Sequence, residues 1–375
     1  MERIEFYKHN IGPDEIASVT TVLESLFLST GSVVGDFETR FAAYLGAPIV
    51  VGLTSCTAAL HLALLAHDVG PGDEVITTPM TFVATANAIL HTGARPVFVD
   101  VEPETGNLDA RRAEAAIAPR TRAILPVHLY GQMCDMRALR DIANRHKLVV
   151  VEDAAHALEA ERDGVRPGQL AEAACFSFYA TKSITSGEGG AVSTASATVA
   201  DQIRKLRLHG MDLGAADRYT KRYQHWDLDY CGWKYNMDNI QAALLIPQIR
   251  RIEERWERRE AISRRYEAAF SKVPGLGFPT VVPGSRSARH LFTIWVAPER
   301  RDEILWKLQD KHVGVAVNYR AIHLLRYYRA VFKTREGMFP VAENIGQRTI
   351  SLPLYPMLTD TEVEQVIDAV ASVAR

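Results

Sequence analysis

Cys175-Phe-Ser-Phe-Tyr-Ala-Thr-Lys-Ser-Ile-Thr-Ser-Gly-Glu-Gly-Gly190 reads as a strand, a lysine and a glycine-rich turn. Cys175 to Ala180 is apolar enough to leave a protein core, and it delivers Lys182 at its end. Burial disfavours the ammonium form, so a lysine held this way loses its proton nearer neutrality and becomes an amine nucleophile. Such amines form Schiff bases with carbonyl compounds, pyridoxal phosphate (PLP) among them. The plainer reading is a lysine lying along a strand end with its head in water.

Upstream, the chain repeats one pattern. Pro48–Gly52, Glu74–Thr78, Pro96–Asp100, Arg122–Val127 and Leu148–Asp153 read as short apolar strands. Helical stretches separate them, at Thr57–Ala66, Thr81–His91 and Asp135–His146. Continuous apolar strands alternating with helices predict a mostly parallel sheet covered on both faces. In such sheets ligands bind beyond the carboxyl ends of the strands, where Asp153 and Lys182 fall.

Downstream, Met237 to about Lys272 reads as one charge-rich helical stretch interrupted at Pro247. The signs in Arg250–Glu260 interleave, which predicts a solvated helix face. A smaller α+β unit follows, with strands at Leu291–Val296, Gly314–Asn318 and Thr349–Leu352 and a helix over Asp302–His312. Thr359-Asp-Thr-Glu362 opens the last helix as a capping box. The expected division is a large cofactor-binding part over residues 1–246, and a linking helix with a small C-terminal domain over residues 247–375.

Composition excludes several classes. The 375 residues are 47% hydrophobic and 23% charged, with a net charge of -2, so no basic footprint points to nucleic acid or an anionic membrane. The stretch Met1–Asn10 lacks the apolar core of a secretion signal, and no apolar run is long enough to span a bilayer. The four cysteines, Cys56, Cys134, Cys175 and Cys231, form no CxxC pair. A cytoplasmic protein without a metal site or disulfide framework is the expectation.

Around Lys182 stand several further candidates. Asp153 at a strand end suits a cofactor cation such as a pyridinium, or a helix N-cap. Thr54-Ser-Cys-Thr57 opens an apolar helix whose free N–H groups make an anion site, although such caps are common. Ser177 has a hydroxyl suited to a phosphate oxygen. Phe82 suits stacking on a flat ring, or the core. His156 suits a ring hydroxyl, or a turn.

These segments resemble the DegT/StrS family of PLP-dependent nucleotide-sugar aminotransferases. The resemblance rests on Glu152-Asp-Ala-Ala-His156, Ser177-Phe-Tyr-Ala-Thr-Lys182 and Gly187-Glu-Gly-Gly190. It continues through Thr57–Ala63, Gly72–Ile76, Gly232–Ala243 and Ser351–Pro356, in order along the chain. It implies the fold type I aminotransferase fold and a homodimer with shared active sites. By position it makes Lys182 the Schiff-base lysine and proton carrier, Asp153 the partner of the pyridine nitrogen, and Phe82 the stacking ring. His156 takes the place near the ring hydroxyl. Cys56, Thr57 and Ser177 fall at phosphate positions, and Lys234 and Asn236 on a segment that reaches the neighbouring subunit's phosphate. Many relatives carry Asn and Arg where this chain has Lys234 and Asn236, so cation and amide have exchanged places.

The turn after Lys182 is similar to members that aminate C4 of a 4-keto nucleotide sugar, those making UDP-4-amino-4-deoxy-L-arabinose above all. The implied reaction is a ping-pong transamination from glutamate, releasing 2-oxoglutarate, in polysaccharide or lipopolysaccharide biosynthesis. Sugar contacts are expected from Ser29, Thr30 and Gly31 and from Tyr319 and His323. The rival readings are a C3-specific enzyme of the same family and a non-catalytic regulator on the same fold.

Overall fold

A computed structural model describes residues 3–212 and 225–374. Its centre is a seven-stranded sheet, in the order β1-β7-β6-β5-β4-β2-β3. The strands are β1 (Ile49–Leu53), β2 (Glu74–Thr77), β3 (Arg95–Phe98), β4 (Thr121–Ile124), β5 (Val149–Asp153), β6 (Ala173–Ser177) and β7 (Gly190–Thr194). β7 is antiparallel to both its neighbours, and the other six strands share one direction.

Both faces are covered because the strands are apolar on both sides. Ile124, Val150 and Ala174 face a core with Phe37, Phe41, Leu139 and Leu245. Those residues come from helices α2 (Ser32–Leu45), α6 (Met136–His146) and α8 (Asn239–Ile249). The alternate residues Ala123, Val151 and Cys175 face Leu60, Leu62, Ile89 and Ile203. That face is covered by α3 (Cys56–Leu65), α4 (Val83–His91) and α7 (Ala197–Leu206). The outlying α1 (Pro13–Leu23) packs on α8, and α5 (Ala110–Ala115) lies beside α6.

A second core surrounds the antiparallel pair β8 (Phe292–Trp295) and β9 (Thr349–Leu352). Helices α9 (Ile252–Phe270), α10 (Arg301–Asp310) and α13 (Asp360–Ala374) enclose it with Tyr266, Phe270, Leu308 and Val370. Tyr328 of the short α11 (Arg326–Phe332) packs with Ala86 and Phe98 at the sheet's edge, and Ala342 and Ile345 of α12 (Pro340–Arg348) pack with Met80, Val101 and Leu129. Among the described residues, no helix is long and apolar enough to cross a membrane.

Several sequence readings change. β6 ends at Ser177, not Ala180, and Lys182 lies in a turn with its N–H bonded to the Tyr179 carbonyl at 2.9 Å. Gly314–Asn318 is no strand: Ala316 makes one bridge to Ser351, while Gly314 packs on the backbone of Ile4 to Phe6. The charge-rich helix breaks at Arg250–Arg251, after Pro247, which sits inside α8. Its face is not uniformly solvated, since Arg255 and Arg259 are each only 3% exposed. The Thr359 capping box is present, with Thr359 N–H donating to Glu362 at 2.8 Å and Glu362 N–H to the Thr359 hydroxyl at 3.2 Å.

Candidate active site

The carboxyl ends of β1, β2, β5 and β6 open into one cavity of about 530 Å3. β5 delivers Asp153 and, just beyond it, His156. β6 delivers Ser177 and the turn holding Lys182. The loop after β2 brings Phe82, the N-cap of α4, and β1 leads into the mouth of α3 at Ser55-Cys56-Thr57. His290, just before β8, and Tyr319 complete the lining.

Asp153 is buried beneath this cavity. Thr85 Oγ1 donates to its Oδ2 at 2.8 Å, and the Ala155 N–H to its Oδ1 at 3.2 Å. Burial pushes the carboxyl up, while Thr85, the Ala155 N–H and the Lys182 and His128 charges pull it back down. Lys182 sits across the cavity with its Nζ 3.4 Å from His290 Nε2. Burial lowers its pKa to about 8, against the opposing pull of Cys56 and Asp153.

His156 is held well below the usual histidine range, by burial first and then by Lys182. Burial and the Asp153 carboxylate raise the Tyr319 phenol. With both groups neutral, the phenol donates to His156 Nε2 across 3.1 Å, leaving His156 Nδ1 without a partner. Phe82 is 57% exposed, with its ring centroid 5.8 Å from that of Tyr319. An exposed phenylalanine in a concave site presents a stacking surface that its own fold does not use.

The mouth of α3 is fixed from below. Ser55 caps the helix, its Oγ accepting from the Ala58 N–H at 3.1 Å. Gly190 lies so close that a Cβ there would stand 2.3 Å from the Ser55 carbonyl carbon and 2.5 Å from the Cys56 nitrogen. The turn after Lys182 therefore rests on the helix mouth, where free N–H groups can bind an anion. Burial first, then Asp153, push the Cys56 thiol well above its usual range, so it remains a thiol.

Cys56, Thr57, Phe82, Asp153, His156, Ser177, Lys182 and Tyr319 thus line one cavity. The remaining expected residues lie elsewhere. His323 is wholly buried beside α12, its Nε2 2.9 Å from Glu343, and does not line this cavity. Lys234 bonds Asn236, and Asn236 Nδ2 donates to Thr30 Oγ1 at 2.6 Å, away from this chain's cavity. Ser29 and Gly31 belong to the same outlying corner at the start of α2. Sequence reasoning passed over His290 and Thr85, because a lone histidine before a strand and a threonine inside a helix carry no local signal.

The model of the DegT/DnrJ/EryC1/StrS aminotransferase family matches residues 9–371. The chain belongs to this family. It is a PLP-dependent sugar aminotransferase with the fold type I architecture. It is 45% identical over 371 residues to the spore coat polysaccharide biosynthesis protein SpsC of Bacillus subtilis, covering 97% of this chain and 95% of that one. The structure of S. venezuelae DesV is 36% identical and superimposes with a TM-score of 0.91, over 100% of this chain and 99% of that one. Helicobacter pylori PseC, an aminotransferase involved in the biosynthesis of pseudoaminic acid, is 28% identical with a TM-score of 0.92, over 100% and 99%.

The family's cofactor fits what the cavity offers: an anion site at one end, a buried carboxylate, an exposed ring and a lysine amine of lowered pKa. The unpaired His156 Nδ1 is a further polar atom that a bound group can satisfy.

Proposed function

We propose that the chain transfers the amino group of glutamate to the 4-keto carbon of a nucleotide-linked sugar, a UDP-sugar, by a ping-pong reaction through Lys182. The observation that carries this reading is the Lys182 amine, held at about pKa 8 in the cavity that also presents Asp153 and the mouth of α3. The C4 assignment draws on the Lys182-to-Gly190 signature. The polysaccharide role of SpsC and the pseudoaminic acid role of PseC support a sugar acceptor destined for a glycan.

PLP, when bound, supplies an electron sink for the electron pair left as a proton departs the carbon bearing nitrogen. Asp153 would pair with its pyridine nitrogen, and the Thr85 hydroxyl favours the ionised form of that carboxylate against its burial. Phe82 would stack on the ring, His156 Nδ1 would donate to the ring oxygen, and the α3 mouth with Ser177 would hold the phosphate. Lys182 Nζ takes the proton from the donor's α-carbon in the first half-reaction and places one on the sugar carbon in the second. Tyr319, which lines the cavity, would contact the sugar. In a homodimer, Lys234 and Asn236 would serve the phosphate of the second copy's site, a lysine acting there as a point charge.

Incubation of the PLP-loaded protein with glutamate and either 3-keto or 4-keto nucleotide sugars tests the reading. The 4-keto substrate is expected to yield stoichiometric 2-oxoglutarate and an aminated sugar by mass. Amination of the 3-keto substrate alone would overturn the C4 assignment. A Lys182→Ala variant with wild-type turnover would overturn the mechanism.

A further inference from the structure

We propose that His290 is a catalytic residue of the amino transfer, a neutral acceptor that holds and orients the free Lys182 amine whenever it is released from the cofactor. The inference rests on Lys182 being the covalent lysine, which borohydride reduction of the PLP-loaded protein and mapping of the labelled peptide test separately.

The geometry is direct. His290 Nε2 stands 3.4 Å from Lys182 Nζ. Its ring also lies 4.3 Å from that of His156, tilted by 38°, and His156 is in turn fixed by Tyr319. The imidazole therefore has little freedom to turn away from the amine.

The backbone on both sides of this contact is clamped by one carboxylate. Glu159 is fully buried and pairs with Arg259 at 2.5 Å. Arg259 donates Nε to the Arg289 carbonyl at 3.1 Å and Nη2 to the Ala288 carbonyl at 3.3 Å, fixing the chain that carries His290. The other oxygen of Glu159 accepts from the Ser183 hydroxyl at 3.2 Å, next to Lys182. A single buried ion pair thus sets the spacing of lysine and histidine. Burying such a pair costs desolvation, so its presence here is better explained by geometry than by stability.

The choice of an imidazole has a chemical reason. A carboxylate at this distance would stabilise the ammonium and raise the lysine's pKa, leaving less of the free amine near neutral pH. A purely apolar neighbour would leave the amine without an oriented partner. A neutral imidazole accepts a hydrogen bond from the ammonium and adds no charge. His290 is kept neutral by burial first, then by Lys182, His156 and Arg259. Other charged or titratable groups around the pair are Asp153, Cys56, Tyr179, Glu188 and Tyr319 on the cavity side, and Tyr7, Lys8, His9, Arg255 and Tyr355 on the crevice side. His290 also lines a narrow crevice behind Lys182, which the lysine shares with Arg255 and Arg259. The pair accordingly stands between the substrate cavity and that crevice.

Three variants test the proposal: H290F removes the acceptor, H290Q keeps a neutral one, and H290E places an anion there. In the cofactor-free protein, the pH dependence of Lys182 acetylation, read by peptide mass, gives the amine's pKa without any turnover. H290F is expected to lower that midpoint by about one unit, H290E to raise it by about one unit or more, and H290Q to leave it near the wild-type value. In the loaded enzyme, H290F is expected to lose about 10-fold or more in kcat with KM changed less than about threefold, and H290Q to recover most of that loss. Identical midpoints in wild type and H290E, or equal kcat values in H290F and wild type, would overturn the role. Should H290F fail to fold, the H290E and H290Q midpoints decide the question alone.

Discussion

Thr85 reaches across from α4 to donate its hydroxyl to Asp153 on β5, Oγ1 to Oδ2, at 2.8 Å. The bond joins two elements that are adjacent in space but 68 residues apart in sequence. Burial alone would favour the neutral carboxylic acid, and Thr85 heads the contributions that oppose it. Thr85→Val keeps the shape and removes the donor. The carboxylate then becomes harder to ionise and a weaker partner for a pyridinium. PLP affinity of the cofactor-free protein is expected to fall about 10-fold, as for loss of one hydrogen bond to a charged group. Fluorescence titration with PLP measures it, and an unchanged dissociation constant would count against the Asp153 assignment.

Gly190 supports the anion site from beneath. Its φ is not left-handed, so the argument is one of space alone: a Cβ would collide with the Ser55-Cys56 peptide at 2.3 and 2.5 Å. Both sides are backbone and neither can swing away. Gly190→Ala is expected to destabilise the fold by about 1–3 kcal/mol, as overpacking does. It should also weaken binding of PLP more than of pyridoxal, which lacks the phosphate. Equal losses for the two ligands would separate Gly190 from the phosphate site.

Lysine ionisation sets the pH course of cofactor capture. With its pKa lowered to about 8, about one Lys182 amine in ten is unprotonated at pH 7. An ordinary lysine at about 10.4 would have roughly one in 2,500. The capture rate is expected to rise about tenfold per pH unit below pH 8 and to flatten above it. Rapid mixing of cofactor-free protein with PLP between pH 6 and 10, quenched with borohydride, reads the rate. A rise continuing past pH 9.5 would show an ordinary lysine at this position.

The sheet was legible in the sequence where burial is two-sided. Val149–Asp153 and Glu74–Thr77 are buried on both faces, so their central apolar residues run on without alternation. β7 was missed because Gly190–Thr194 follows the glycine-rich turn directly and mixes small and polar residues, buried by its neighbours rather than by its own character. Asp153, Lys182, Ser177 and Phe82 were legible because strand ends and helix mouths have local signatures. Thr85, His290 and the Glu159–Arg259 clamp were not, because their partners lie far along the chain. The same limit misread α9, where interleaved charges mark a solvated face except at the two arginines the tertiary structure buries.

His323 shows that limit from the other side, as a polar residue beside a site that serves the fold. Its Nε2 lies 2.9 Å from Glu343 Oε1, and the same carboxylate accepts from the Gly337 and Phe339 N–H groups. Thr334 Oγ1 donates to the His323 carbonyl at 2.6 Å. Together these bonds tie the loop after α11 to α12. His323→Ala removes a buried side chain and leaves Glu343 short of a partner, costing about 2–4 kcal/mol. Thermal or urea unfolding should record that loss. Below the unfolding transition, kcat and KM for both substrates are expected to stay within about twofold of wild type, because no His323 atom reaches the cavity. A rise in KM for the nucleotide sugar without loss of stability would return His323 to the substrate site.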